Sequence, residues 1–271
     1  LVFDSRVSLR PGADRVEIET TVHNTAEDHR LRVLFPTGAQ ADTYLADAAF
    51  DVIERPIALK ADRHLYRELE VETRPQQSWT AVYDTTRGLA VITTGLMESA
   101  VRDLAERPIA LTLLRSTRRT VMTDGEPGGL LLGSWAFRYW LVPLAGPPDV
   151  VRLSRLGQEI ACGRRDVQLL ARDVAYYRQG TEGQLPAKAS FLHLSGEALL
   201  SSLQQVNGCL EMRLYNPTPK PSVITLALGE LAQGAYTAIQ PVNLESAPLG
   251  PAEPLTGDRY TLEVGPKKIV T

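Results

Sequence analysis

The sequence predicts an all-β protein: a large antiparallel sandwich over residues 1–188, then a small immunoglobulin-like sandwich over residues 189–271. Three observations carry this. Apolar and polar residues alternate with period two along many short segments, turns rich in Gly, Pro and Asp separate those segments, and no βαβ rhythm links them.

The alternation is clearest at Val16, Ile18, Thr20 and Val22, which share one face of an extended segment while Glu17, Glu19 and Thr21 share the other. A polar turn over residues 23–28 ends it, and Leu31–Phe35 resumes as a strand that stops at Pro36. The two segments are expected to form a hairpin. Further strands are expected at Leu69–Thr73, Trp79–Tyr83, Leu89–Thr94, Ile109–Arg115 and Trp135–Val142. Helical spacing is confined to Glu159–Ala175 and Glu197–Val206, and the second could equally be a strand. The polar, Gly-rich stretch 179–188 is the best linker and places the boundary near residue 188. Beyond it, Phe191–Leu194, Leu210–Tyr215, Val223–Leu228, Tyr236–Gln240 and Tyr260–Val264 read as short strands spaced by Pro-rich turns.

Composition narrows the function classes. Basic and acidic side chains number 29 and 32, a net charge of -3 without the basic surplus of a nucleic-acid binder. With 44% apolar residues the chain can bury a core, yet no run approaches the length of a membrane helix. Neither a nucleic acid nor a membrane is expected as a partner. Two cysteines, Cys162 and Cys209, are too few for a disulfide framework or a zinc site and make the cytoplasm the default compartment. The opening residues, Leu1-Val2-Phe3-Asp4-Ser5, carry neither an initiating Met nor a leader, so the sequence reads as a piece of something longer.

Candidate chemistry is sparse. His23, His29, His64 and His193 lack the partner spacing of a metal site. Ser195 precedes Gly196 but lacks the upstream Gly and the α/β frame of a nucleophile elbow, and residues 125–129 lack the Lys of a phosphate loop. Asp51 and Glu54 are the nearest approach to a glycosidase carboxylate pair. Their spacing puts them on opposite faces of an extended chain, with Arg55 placed to neutralise Glu54. Trp79, Trp135 and Trp140 could stack on sugars but sit where sandwich cores are anchored. No catalytic residue and no metal ligand is assigned.

The run from Asn24 to Thr37 resembles the N-x-A-x-D-H-R-L-R-V-x-F-P segment in the C-terminal half of glycoside hydrolase family 38 α-mannosidases. Phe50–Pro56 resembles the family's F-x-V-x-E-R-P step, Arg87–Glu98 its G-L-A-V-x-x-x-G-L-x-E strand and turn, and Ile109–Ser116 its I-A-L-T-L-L-R-S strand. Downstream, Arg213–Pro217 resembles the R-x-Y-N strand end, and Val242–Glu245 the N-L-x-E segment. The six pieces fall in order along the chain. One departure is Ser99 after Glu98, where many relatives carry an aromatic residue.

This resemblance implies a galactose-mutarotase-like supersandwich followed by a smaller β domain. It implies the non-catalytic C-terminal portion of a retaining α-mannosidase, inactive alone, that scaffolds and shapes the active-site cleft of an absent N-terminal catalytic domain. Zinc, held by Asp and His, and the Asp nucleophile are expected in that absent domain. The partners implied are that domain and the parent's α-mannoside substrate. Arg115, at the end of its strand, and Arg55 are the substrate-rim candidates, since guanidinium groups hydrogen-bond sugar hydroxyls; the alternative role for each is pairing with Glu54 or Glu98. A free-standing carbohydrate-binding module or lectin-like sandwich is the competing expectation. An aldose epimerase or lyase on the same sandwich ranks last, because it needs a convergent His and carboxylate pair.

Overall fold

The computed structural model describes residues 1–118, 127–168 and 188–271. Among the described residues the regular structure is mostly strand, with one α-helix, and the chain divides into two units, Leu1–Ala161 and Cys162–Thr271. The expected linker over residues 179–187 and the end of the expected helix, residues 169–175, lie outside the described residues.

The first unit pairs a seven-stranded antiparallel sheet with a four-stranded one. In chain order its strands are β1 (Val2–Ser8), β2 (Val16–Asn24), β3 (His29–Phe35), β4 (Thr43–Ala48), β5 (Asp51–Pro56) and β6 (Thr73–Pro75). They continue with β7 (Trp79–Tyr83), β8 (Gly88–Thr93), β9 (Glu98–Val101), β10 (Ile109–Ser116) and β11 (Gly133–Leu144). The larger sheet runs β1-β2-β11-β8-β7-β4-β5 and the smaller β3-β10-β9-β6. Between them lies a core of Ile18, Phe35, Tyr44, Val91, Ile109, Leu111 and Tyr139, with Phe35 edge-on to Tyr139 at 5.7 Å.

The expected hairpin of Val16–Val22 with Leu31–Phe35 does not form. β2 pairs with β1 and β11, whereas β3 pairs with β10 in the other sheet. The polar turn crosses the sandwich instead of folding one sheet back on itself. Both strands turn their apolar faces into the one core, from opposite sides of the sandwich. Asn24, 1% exposed, holds the crossing: its amide donates to the Leu131 carbonyl at 2.7 Å and its Oδ1 accepts the Ala26 N–H.

The other face of the large sheet is covered by helix α1 (Val150–Cys162), whose Leu153 and Leu156 pack with Val52, Trp79, Ala81, Ile92 and Trp140. The expected helix over 159–175 is therefore displaced: the observed helix ends where that one was to begin. Asp149 starts it, its carboxylate accepting the Arg152 N–H at 2.9 Å, and Gly163 at φ 64° follows its last residue. Trp79 and Trp140 are core anchors, the Trp79 indole donating to the Ser154 hydroxyl at 3.0 Å. Trp135 is 38% exposed and donates to the Leu131 carbonyl. The strand expected at Leu69–Thr73 is reduced to β6, which begins at Thr73.

The second unit faces a sheet of β12 (Leu192–Ser195), β15 (Ser222–Leu228) and β18 (Arg259–Val264) with one of β13 (Leu199–Val206), β14 (Cys209–Tyr215) and β19 (Ile269–Val270). A two-stranded ribbon, β16 (Ala238–Ile239) with β17 (Glu253–Pro254), completes it. Leu214, Ile224, Leu226 and Val264 form its core. The segment with ambiguous periodicity, Glu197–Val206, is the strand β13. The Arg213–Pro217 motif has a structural role: Asn216, fully buried, donates to the carbonyls of Lys220, Val264 and Gly265 and accepts from the Thr218 N–H and hydroxyl.

Candidate functional site

β3 alternates in two chemistries. Leu31, Val33 and Phe35 enter the core, so Arg30 and Arg32 stand on the outer face of the smaller sheet. In β10 the register against β3 shifts between Thr112 and Leu114. That shift lets Leu111, Leu113 and Leu114 all be buried and still brings Arg115 opposite Arg30. Glu98 on β9 and Thr73 on β6 reach the same face, flanked by Glu72 and Arg102.

These side chains form one ionic network. Glu98 accepts from the Thr112 hydroxyl at 2.6 Å and pairs with Arg115 at 2.6 Å and Arg30 at 3.7 Å. Glu72 pairs with Arg32 at 3.0 Å and Arg102 at 3.4 Å. Arg30 also donates to the Thr73 hydroxyl at 3.0 Å. Burial, then the charges of Arg32 and Arg115, pull the Arg30 pKa down against the pull of Glu98 and Glu72. Burial pushes Glu72 upward, but Arg32 and Arg102 hold it below the usual carboxylate range. The arrangement supplies hydrogen-bond donors on a positively biased face. It contains no activated nucleophile and no acid–base pair.

Both candidate rim residues lie near this face. The Arg115 side chain is 52% exposed against 17% for Arg32, so it retains N–H groups open to solvent while holding Glu98. Arg55, on the edge strand β5, donates to the Pro75 carbonyl at 2.7 Å, and Pro75 sits opposite Glu98 in the β6–β9 register. Two strands therefore link the Arg55 anchor to the Arg115 partner. Arg55 does not neutralise Glu54; Glu54 instead accepts from the Thr43 hydroxyl at 2.7 Å. Asp51 accepts the Val52 N–H and, as expected, lies on the opposite face of β5 from Glu54.

Arg30, Arg32, Arg102 and Glu72 were not singled out from sequence. The alternation of Arg30 and Arg32 within β3 was a usable signal; the approach of Glu72 and Arg102 required the tertiary fold. Beside the network, Lys60, Tyr66, Leu69, Glu70, Val71 and Arg74 line an open depression, with the Lys60 ammonium 5.2 Å above the Tyr66 ring. Among the described residues no group of three or more His, Cys, Asp or Glu side chains is placed to hold a metal ion. Nor does a helix among them have the length and apolarity to cross a membrane.

The comparisons with known proteins agree with this architecture. Residues 2–122, which contain the whole ionic network, match the family described as Glycosyl hydrolases family 38 C-terminal domain. A putative mannosylglycerate hydrolase of Halalkalibacterium halodurans is 29% identical over 123 residues, covering 43% of this chain and 12% of the relative. The fold is shared with an α-mannosidase from Enterococcus faecalis V583 over 99% of this chain and 28% of that one, at 23% identity and a TM-score of 0.79. A second Enterococcus faecalis structure, a protein in glycosyl hydrolase family 38, superposes at a TM-score of 0.76 and 23% identity, covering 99% of this chain and 29% of its own. The present chain thus spans under a third of each relative. Over residues 2–122, under half of its length, the chain is similar to the C-terminal domain of the family 38 glycosyl hydrolases.

Proposed function

We propose that this chain is the C-terminal β portion of a retaining α-mannosidase, and that it scaffolds and shapes an active-site cleft whose chemistry lies in an N-terminal catalytic domain outside these residues. The family match over residues 2–122, in a chain spanning 28% of the similar α-mannosidase, is the observation that carries the reading. Zinc belongs to that other domain. The described residues offer it no donor cluster, and no step of hydrolysis is assigned to this chain. The substrate class is α-mannosides, and the compartment is the cytoplasm, consistent with two exposed, unpaired cysteines, Cys162 and Cys209.

Within this reading Arg115 is the side chain that reaches the rim of the cleft. Glu98 and Thr112 hold its strand end in place, and its remaining N–H groups are free to meet a sugar hydroxyl. Arg55, engaged with the Pro75 carbonyl, positions the neighbouring edge. The deciding experiment is hydrolysis of p-nitrophenyl α-D-mannoside by the 271-residue chain with and without added zinc, with calorimetric titration of mannose and mannobiose alongside. The scaffold reading expects neither turnover nor binding. Turnover would overturn it, and binding without turnover would replace it with a free-standing carbohydrate-binding sandwich.

A further inference from the structure

We propose that Arg30 and Arg115, which face each other across β3 and β10, bind an anionic group of the substrate, a carboxylate or a phosphate carried by the α-mannoside. This deepens the proposed function and rests on its placing Arg115 at the rim of the cleft.

The outer face of the smaller sheet carries more positive charge than it neutralises. Arg30, Arg32, Arg102 and Arg115 gather around two carboxylates, Glu72 and Glu98, in a chain whose net charge is -3. Glu72 serves Arg32 and Arg102, which leaves Glu98 to serve the other two. It serves them unequally. Its Oε2 lies 2.6 Å from Arg115, whereas its Oε1 accepts the Thr112 hydroxyl at 2.6 Å and stays 3.7 Å from Arg30, beyond hydrogen-bond reach. Arg30 spends one side-chain N–H on a neutral group, the Thr73 hydroxyl at 3.0 Å, and among the described residues none of its other side-chain N–H groups makes a hydrogen bond.

Register turns this shortage of negative charge into a site. Arg30 and Arg115 are cross-strand partners, about 5 Å apart at Cα, and like charges so placed repel each other unless an anion lies between them. Burial and the charges of Arg32 and Arg115 pull the Arg30 pKa down further than Glu98 and Glu72 raise it, the mark of an uncompensated positive potential at that point. The two side chains are 31% and 52% exposed, sheltered enough to keep the field from being screened away and open enough to admit a ligand. Each guanidinium presents paired N–H groups that match a carboxylate or a phosphate, and one oxyanion between the two relieves their repulsion. A neutral sugar hydroxyl leaves that repulsion in place, which is why the site selects an acidic ligand.

In the test, the 271-residue chain is titrated at pH 7 and fixed ionic strength with sodium phosphate, mannose 6-phosphate, mannuronate and mannose, while NMR follows the arginine Nε–H resonances. Saturable shifts at Arg30 and Arg115 are expected with phosphate and with at least one sugar acid, at a Kd of about 1–10 mM, and none with mannose. The tighter sugar acid identifies the group as phosphate or carboxylate. Arg30→Gln and Arg115→Gln are each expected to weaken binding about 10-fold or more, and Arg152→Gln, in α1, to leave it unchanged. Glu98→Gln keeps an acceptor for Thr112 and Arg115 but removes the competing charge, and is expected to tighten binding several-fold. Tryptophan fluorescence verifies that each variant is folded. Phosphate without effect, shifts shared by Arg152, indifference to the Arg30 and Arg115 changes, or weaker binding in Glu98→Gln overturns the proposal. Binding of phosphate but of neither sugar acid overturns the assignment to substrate and leaves the pair to an acidic side chain elsewhere in a longer protein. Equal binding of neutral mannose overturns this proposal and the scaffold reading together, whereas silence of every anion overturns this proposal alone.

Discussion

Asp47 is the carboxylate whose environment makes the sharpest quantitative claim. It lies on β4 and is 5% exposed, on the face that α1 covers; Ser78 donates its hydroxyl to Oδ2, and Oδ1 has no hydrogen-bond partner among the described residues. Burial outweighs the Ser78 hydrogen bond and pushes its pKa from 3.8 to about 6. Because the folded pKa is raised, the folded state holds a proton that the unfolded state has released across the interval between the two values. Stability from this group therefore falls as pH rises from about 4 to about 6 and is level above. A shift of about 2 units corresponds to about 3 kcal/mol. Depressed carboxylates such as Asp84 and Glu72 act with the opposite sign, their contribution being present above the unfolded pKa and lost as pH falls.

Comparing wild type with Asp47→Asn cancels those other groups. All three tryptophans, Trp79, Trp135 and Trp140, lie in the first unit, so urea unfolding followed by their fluorescence reports that unit. The variant's stability relative to wild type is expected to rise by about 2 kcal/mol between pH 4 and pH 6.5. The amide brings a donor with no acceptor and lowers the whole difference curve by about 1–3 kcal/mol without changing its slope. A difference curve that is flat across this window would refute the argument, because it would mean that Asp47 meets enough water to ionise normally.

Three further outcomes follow from the same packing. A Cβ at Gly157 would stand 2.6 Å from the Ser78 hydroxyl and 3.0 Å from its Cβ, so Gly157→Ala is expected to lose about 1–3 kcal/mol in tryptophan-detected urea melts, despite alanine's better helix propensity. Asn216→Ala strips several buried hydrogen bonds from the second unit and is expected to lose about 3–5 kcal/mol there, seen as collapsed amide-exchange protection in β14, β15 and β18 with the tryptophan transition unmoved. On the ionic face, Arg115→Ala is expected to change stability by under about 1 kcal/mol, since its pair with Glu98 is half exposed, whereas Arg32→Ala is expected to lose about 1–2 kcal/mol because Glu72 is left partly buried with less compensation. Thermal melts of the two variants at pH 7 check that order.

Individual strands were legible because their signal is local. Trp79–Tyr83 is a strand as expected, and Ile109–Arg115 differs by one residue at its end, since period-two alternation between turn residues needs no knowledge of the rest of the chain. The start of α1 was also written locally, in Pro148-Asp149 before Val150 and in Gly163 after Cys162, but the apolar periodicity further along drew the expectation downstream. β1, β4, β5 and β9 were not anticipated as strands. β1 is exposed on both faces, and β9 has only four residues, so neither presents a full alternating face to read.

By itself the sequence determined that this is a β protein, which residues prefer a buried face, and, through ordered motifs, its similarity to the family 38 C-terminal domains. Only the tertiary structure decided that Val16–Asn24 and His29–Phe35 join opposite sheets, and that Arg30, Arg32, Arg102 and Arg115 gather around Glu72 and Glu98. The physical reason is the range of the forces involved. Side-chain alternation is set by the geometry of one strand, whereas strand partners and ionic neighbours are chosen by the burial of surfaces far apart in the chain.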